Sequence, residues 1–441
     1  MLGYYFFLAL RSLRRTRMLT ALMVLAIAVG IGASMTTLSV MFLLSGDPLP
    51  AKSGKLFFPQ LDPSTGATLR HTPMDLLDYT SAHDLWQAHR ASRQAMLANA
   101  ATRVQPTVSG QAPFIVQTLA TTSDFFPMFN VPFRYGGAWS AQDEQRAARE
   151  VVISSTLNQR LFGGANSVGR DVVINGAQLR VVGVLDDWRP RPRFYMVVGA
   201  RFSGGDTADL YGPPHDVYLP MPTGIDIAQA DMQPFTCWSD GMVDPHHMTT
   251  AACAWVGLWV ELPDVAARDA YRRFLEDYDD QQRSIGRLTH PKLTRMMSLH
   301  EWLDFQQVVP ADVKLQTWLA FAFLLICLFN TVGLLLAKFI GRSNEIGVRR
   351  ALGASRKAIF GQCLVEAGLI GLIGGLFGLF MTVAGIYAIR QQPVAYADLV
   401  AVDMPVFVLA LALSLGASLL AGVFPAFRAS RVAPALQLKV Q

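Results

Sequence analysis

The chain is 441 residues long, 51% hydrophobic and only 16% charged, with a formal net charge of +5 and a positive mean hydropathy. That balance excludes a disordered chain and an ordinary string of soluble domains, and it points to a membrane protein. The basic surplus sits at the edges of apolar runs, not on one continuous surface, so nucleic acid is excluded as a partner and membrane lipids are expected instead.

The opening stretch MLGYYFFLALRSLRR is aromatic and apolar, with its arginines late, and predicts an amphipathic helix lying in the membrane interface. Met18 to Gly46 then contains no Asp, Glu, Lys or Arg. It exceeds the roughly 20 residues that an α-helix needs to cross the hydrocarbon core. It is also nearly twice as long as a signal-peptide apolar region and has no A-x-A-like site beside a short one, so it is read as an uncleaved anchor.

Asp47 to Val313 carries 23 basic and 29 acidic residues and is too long for a linker. Thr72 to Ala88 predicts a helix after a Thr-Pro start, and Pro113 to Thr122 a strand. The clearest stretch runs from Arg149 to Trp188. Val151 to Ile153 reads as a buried strand, Ser154 or Ser155 caps a helix through Phe162, and Gly163-Gly164 ends it. Asp171 to Ile174 and Gln178 to Leu185 pair through Asn175-Gly176, a turn that accepts positive φ. Arg189 to Met232 is rich in Pro and Gly and carries no assignment. Val265 to Gln282 is helical again, and Leu299 to Phe305 leads towards the membrane. The segment is expected to be a mixed α+β domain.

Cys237 and Cys253 lie in this domain, 16 residues apart. In an oxidising compartment they could close a loop worth about 3 kcal/mol; the alternative is two buried free thiols. Asp244, His246 and His247 are the nearest approach to a metal cluster, but adjacent histidines on a loop rarely reach one ion, and no metal site is assigned.

Leu315 to Ala337, Ala367 to Ile389 and Met404 to Phe427 are free of charge like the first run, which gives four transmembrane helices, the last three at about 315–337, 358–389 and 404–427. Gly368, Gly371, Gly375 and Gly378 follow a 3, 4, 3 spacing on one helix face, where small residues let a neighbouring helix approach closely. Glu366, near the end of that helix, is read as an interfacial carboxylate paired with a basic residue, because a lone acid makes a poor proton relay.

Between the second and third runs stands NEIGVRRALGASRKAIFGQ. Asn344 to Leu352 has helical pattern, with Glu345 and Arg349 paired at i,i+4 and Val348, Ala351 and Leu352 sharing a face. Gly353 ends it and Ser355 caps the next helix. Headgroup anchoring accounts for Arg349, Arg350, Arg356 and Lys357. It does not require a separate apolar face, which suits docking into a protein groove.

Basic residues also set the topology. Four Arg lie in the first 17 residues, six Lys or Arg between Lys338 and Lys357, and Arg428, Arg431 and Lys439 in the tail, whereas Arg390 to Asp403 has one Arg against Asp398 and Asp403. The positive-inside bias puts both termini and the 338–357 segment in the cytoplasm. No G-x-x-x-x-G-K-[ST], G-x-S-x-G, H-E-x-x-H or paired C-x-x-C motif occurs, so neither catalytic residues nor a cofactor are assigned to this chain.

SNEIGVRRALGASRKAIFGQCLVEAGLIGLIGGLFGL resembles the FtsX-type permease domain of ABC transporters, and FPAFRASRVAPALQL is similar to that domain's closing motif. LRSLRRTRMLTALMVLAIAVGIGA and VVISSTLNQRLFGGANSVGRDVVINGAQLRVVGVL resemble the N-terminal helix and periplasmic core domain of MacB-like permeases. About Arg191 to His290 matches no motif. The resemblance implies three regions: 1–46 with the first membrane helix, 47–313 as a periplasmic core domain, and 314–441 as the permease domain. It implies a bacterial inner-membrane protein in which Glu345, Ile346, Arg349, Arg350 and Leu352 form a coupling helix facing an ABC ATPase. MacB carries that ATPase before its first membrane helix; 17 residues precede it here, which implies a separate ATPase subunit that binds ATP and Mg. The family's mechanism is mechanotransmission, which implies export of a hydrophobic or peptide-like compound by a homodimer or a heterodimer of related permeases, with a periplasmic adaptor and outer-membrane channel. A lipoprotein-releasing permease is the alternative within the same layout. An FtsX-like subunit that activates a wall hydrolase is another, although its external domain is expected to be much smaller.

Overall fold

The computed structural model of the chain describes residues 2–65, 72–106, 112–202, 208–233, 236–238, 242–393, 396–400 and 404–431. Asp403, Lys439 and the end of the closing motif from Val432 lie outside them. Two units form: Gly46–Val308, and a membrane unit of Met1–Ser45 with Val309–Gln441.

In the membrane unit, helix Leu2–Arg15 is followed by four helices long and apolar enough to cross a membrane: Arg17–Ser45, Ala311–Ile340, Arg356–Arg390 and Met404–Ser430. The last three outrun their charge-free windows, because Lys338, Arg356, Arg390 and Arg428 stand in terminal turns. The third helix packs along the first and the last. A Cβ built on Gly371 would lie 1.8 Å from Ser418 Oγ, and one on Gly375 2.6 Å from Ser414 Oγ, both on the last helix. One on Gly368 would lie 3.3 Å from Leu419. Gly378 instead meets Ile31 of the first helix at 3.0 Å, next to Gly374, which meets Ile27 at 2.8 Å. The single glycine face expected from sequence is therefore two faces. Over ten residues the row drifts around a helix of 3.6 residues per turn, away from one neighbour and onto another.

Gly46–Val308 is built on a ten-stranded mixed sheet. Its strands are β1 (Leu56–Leu61), β2 (Arg93–Gln105), β3 (Phe114–Thr121), β4 (Phe133–Gly136), β5 (Glu150–Ile153), β6 (Asp171–Ile174), β7 (Ala177–Leu185) and β8 (Val217–Pro220), then, past the short pair β9 (Thr236–Cys237) and β10 (Cys253–Ala254), β11 (Gly257–Glu261) and β12 (Thr294–Ser298). The order is β12-β1-β11-β2-β3-β8-β5-β7-β4, with β6 beside β2 and β7. Both faces are covered. Leu258 and Val260 of β11 pack with Tyr271 and Leu275 of helix Val265–Ser284, while Trp259 between them packs with Phe58, Phe129 and Trp302. Period-two side chains buried on both sides give the unbroken apolar run LWV, which hides a strand from an alternation search.

Helix Ser155–Phe162 is capped by Ser154 and closed by left-handed Gly163, and Asn175 and Gly176 turn the β6–β7 hairpin at φ 50° and 82°. The helix expected over Thr72 to Ala88 is confined to Tyr79–Gln87. Asp78 accepts from Ser81 N and caps it, while the Leu77 backbone bridges to Val256 and is withdrawn from helix formation. The unassigned region supplies strand β8 and helix Met221–Ala228.

Candidate functional site

The helix between the second and third membrane spans runs from Ser343 to Ala351. Gly353, at φ 100°, turns the chain, and Ser355 accepts from Ala358 N to start the third span. The short helix has two distinct sides. Ile346 is 9% exposed and belongs to the membrane unit's core with Phe339 and Ile359. Val348 and Leu352 are 52% and 82% exposed, with exposed Ala351 between them, so an apolar stripe one i,i+4 step long faces outwards.

The inner side is bound by charge. Arg349 donates to Glu345 Oε1 at 2.9 Å and to Gln362 Oε1 of the third span at 3.0 Å. Arg342 donates to both Glu345 oxygens at 3.2 Å and to Glu366 Oε2 at 3.2 Å. Lys338 Nζ, in the last turns of the second span, lies 2.7 Å from Glu366 Oε1. Lys338, Glu366, Arg342, Glu345 and Arg349 thus form a line of alternating charge across three helices. Glu366 and Lys338 are 1% and 3% exposed, so in each the charge is held by its partner rather than by water.

The five residues read from sequence as one docking face are divided by the structure. Glu345, Ile346 and Arg349 turn inwards to their own chain, Leu352 faces out, and Arg350 is half-exposed. A nine-residue helix lying against the membrane bundle must spend one side on its own core, so only the Val348 stripe remains open. Glu366 meets a basic partner, as its sequence position suggested, but it is buried and has two. Lys338 and Arg342 are its partners, and the sequence carries their signal: a basic residue in the last turn of one span, another four residues on, just past its end, and an acid near the start of the next span.

In the other unit, Cys237 and Cys253 are joined by a disulfide across the β9–β10 pair. His247 pairs with Asp244 at the surface, and among the described residues no group of three or more His, Cys, Asp or Glu could hold a metal ion. A buried polar line lies under the sheet. The Tyr195 hydroxyl is 2.9 Å from His215 Nδ1, and His215 Nε2 is 2.9 Å from Asn99 Oδ1. Burial, with Arg193 adding to it, pushes the imidazole well below its ordinary range, and burial pushes the Tyr195 hydroxyl up to about 12. Phe125, Trp188 and Tyr218 crowd these groups. This line is packing, closed to substrate.

A family profile described as MacB-like periplasmic core domain matches residues 20–278, and one described as FtsX-like permease C-terminal matches residues 318–434. The chain belongs to the MacB-like, FtsX-type permeases. It is 25% identical over 328 residues to the pyoverdine export ATP-binding/permease protein PvdT of Pseudomonas aeruginosa, covering 72% of this chain and 41% of that one. It is 23% identical over 477 residues to the macrolide export ATP-binding/permease protein MacB of Syntrophobacter fumaroxidans, covering 98% and 63%. The chain thus spans less than two thirds of the length of these curated relatives. The periplasmic region of MacB from Actinobacillus actinomycetemcomitans covers 57% of this chain at 13% identity and a TM-score of 0.35. In this MacB-like permease the charged line from Lys338 to Arg349 lies in the FtsX-like region, at the junction of its short helix and membrane spans.

Proposed function

We propose that this permease converts ATP hydrolysis by a separate ATPase subunit into movement of the Gly46–Val308 domain, and so exports a hydrophobic or peptide-like compound. The relatives PvdT and MacB are named ATP-binding/permease proteins, and in this reading nucleotide chemistry belongs to the partner. The observation that carries the reading is the two-sided short helix. An outward apolar stripe is a docking surface, and an inward charged line tied to the third span is a stiff connection behind it. The basic flanks favour a cytoplasmic location for this helix and both termini, which puts the large domain on the other side of the membrane. Force entering at Val348 and Leu352 then passes through Arg349, Arg342 and Glu366 into the third span and its glycine-packed neighbours. The permease works as a dimer with itself or with a related permease, and an adaptor and outer-membrane channel would complete the export path.

Val348→Asp combined with Leu352→Asp tests this. Loss of a desolvated anchor at an interface is worth at least about 2 kcal/mol, or roughly 30-fold in Kd. We expect the ATPase subunit to dissociate and its stimulated hydrolysis to disappear while the variant still inserts into membranes. Unchanged ATPase affinity would sink the proposal. Purification of the intact complex separates the cargo readings: an adaptor supports export, and a bound lipoprotein supports release.

A further inference from the structure

The Ser12 hydroxyl belongs to none of the elements in that path, yet it occupies the middle of the polar cluster. It donates to Glu366 Oε1 at 2.5 Å and accepts from Arg342 Nη1 at 2.5 Å, and the residue is 5% exposed. Its neighbours on the N-terminal helix, Ala9 and Leu13, are buried in the membrane unit's core, while Phe6, Phe7 and Leu10 face outwards. Downstream, Thr16 Oγ1 lies 3.5 Å from Thr20 Oγ1, which takes a hydrogen bond from Lys338 Nζ at 3.3 Å. At the surface Arg15 adds a weaker tie to Glu345 at 3.7 Å.

A helix that served only to float among headgroups would have no use for a polar atom on its inner face. Burying a hydroxyl is unfavourable unless it is fully bonded. Here both its donor and its acceptor capacity are taken up by opposite charges, in a setting where low dielectric strengthens each bond. We propose that helix Leu2–Arg15 is a second output of the coupling site, with Ser12 the positioning residue that ties it to the Arg342–Glu366 pair. Movement of the short helix reaches the third span through Glu366 and the first span through Ser12. The two spans that sandwich the Gly374 and Gly378 contacts are thereby driven together from one point. The inference rests on the coupling role proposed above for Ser343–Ala351.

The test uses the full chain, reconstituted in vesicles with the ATPase subunit that co-purifies with it. Ile285, 68% exposed in the large domain, is replaced by a labelled cysteine (Ile285→Cys) to report ATP-dependent change by fluorescence. Ser12→Ala keeps the helix amphipathic but removes the hydroxyl. We expect the Kd for the ATPase subunit and the KM for ATP to be unchanged, while the fluorescence response per ATP hydrolysed falls at least about fivefold, the lower end of ordinary coupling energies. Ser12→Thr, which keeps the hydroxyl, restores the response. A full response in Ser12→Ala overturns the proposal. So does a loss that runs in step with weakened ATPase affinity, since a serine of purely structural value would loosen the whole site. If the wild-type chain binds no ATPase subunit, the coupling role falls and this inference falls with it, an outcome distinct from failure of the Ser12 tie alone.

Discussion

Glu366 is the residue on which the membrane unit's polar chemistry turns, and its environment sets a measurable contrast. Glu366→Ala leaves Lys338 buried without its counter-charge, while Arg342 keeps Glu345, and breaking such a buried pair is strongly destabilising, by about 3–5 kcal/mol. Glu345 is one third exposed, so Glu345→Ala should cost less than about 1 kcal/mol. Thermal denaturation in detergent should rank the two in that order; equal losses would contradict the burial difference. A second contrast lies among the glycines. Gly371→Ala sets a methyl against Ser418 Oγ and within 3.0 Å of the Ser414 carbonyl, and such overpacking typically costs about 1–3 kcal/mol. Gly416→Ala meets nothing within 4 Å, so it should be neutral or stabilising in the same assay. At this scale the sequence was partly legible. A lone carboxylate inside an apolar run called for a basic partner, and Lys338 and Arg342 supply it. Ser12 could not be read, because it is 354 residues from Glu366 in the chain and one serine in a polar-faced helix carries no periodic signal.

Elements were legible where local chemistry acts alone. The Ser154 cap, the Gly163 terminus and the Asn175-Gly176 turn sit where their residue types demand. They failed where tertiary pairing competes. Leu77 gave its backbone to Val256, which shortened an expected helix, and strands β1 and β11, buried on both faces, show no alternation to detect. The short helix Ser343–Ala351 shows both outcomes. Its existence followed from the Glu345–Arg349 spacing and the Gly353 break, but its inward side is told from its outward side only by the core containing Ile346 and Phe339. The β9–β10 pair offers a test of its own. A disulfide closing a loop of this length is worth about 3 kcal/mol in the chain-entropy account. Cys253→Ser should lower the midpoint of the large unit accordingly. In unreduced, fully denatured protein only Cys327 and Cys363 should react with an alkylating reagent; four modified cysteines would exclude the bond.

Taken whole, the permease has a large folded unit in which a buried histidine ties stability to pH. In the unfolded chain His215 takes up a proton near 6.5, whereas in the fold burial and Arg193 hold its affinity well below that. At this site the unfolded state therefore binds more protons as pH drops through this range, which lowers stability, whereas Glu144, Asp216 and Asp279, raised by burial, act in the opposite sense. We expect the melting temperature of the large unit, followed from pH 7 to pH 5, to fall less or rise more in His215→Gln than in the wild type. An identical slope in the variant would assign the effect to other groups.

The edge pairing of β1 with β12 has a further consequence. Phe57 stands opposite Ser298 and Leu61 opposite Thr294, so the strand that enters the domain and the strand that leaves it are zipped side by side. The domain begins and ends at one place. Within the membrane unit the first and second spans pack on each other, with Ser34 Oγ donating to the Ala320 carbonyl at 3.0 Å. The entropy of closing a very long loop is met inside the domain rather than by the membrane bundle. A cassette attached in this way can be lengthened, exchanged or trimmed without altering the register of the helices that carry it.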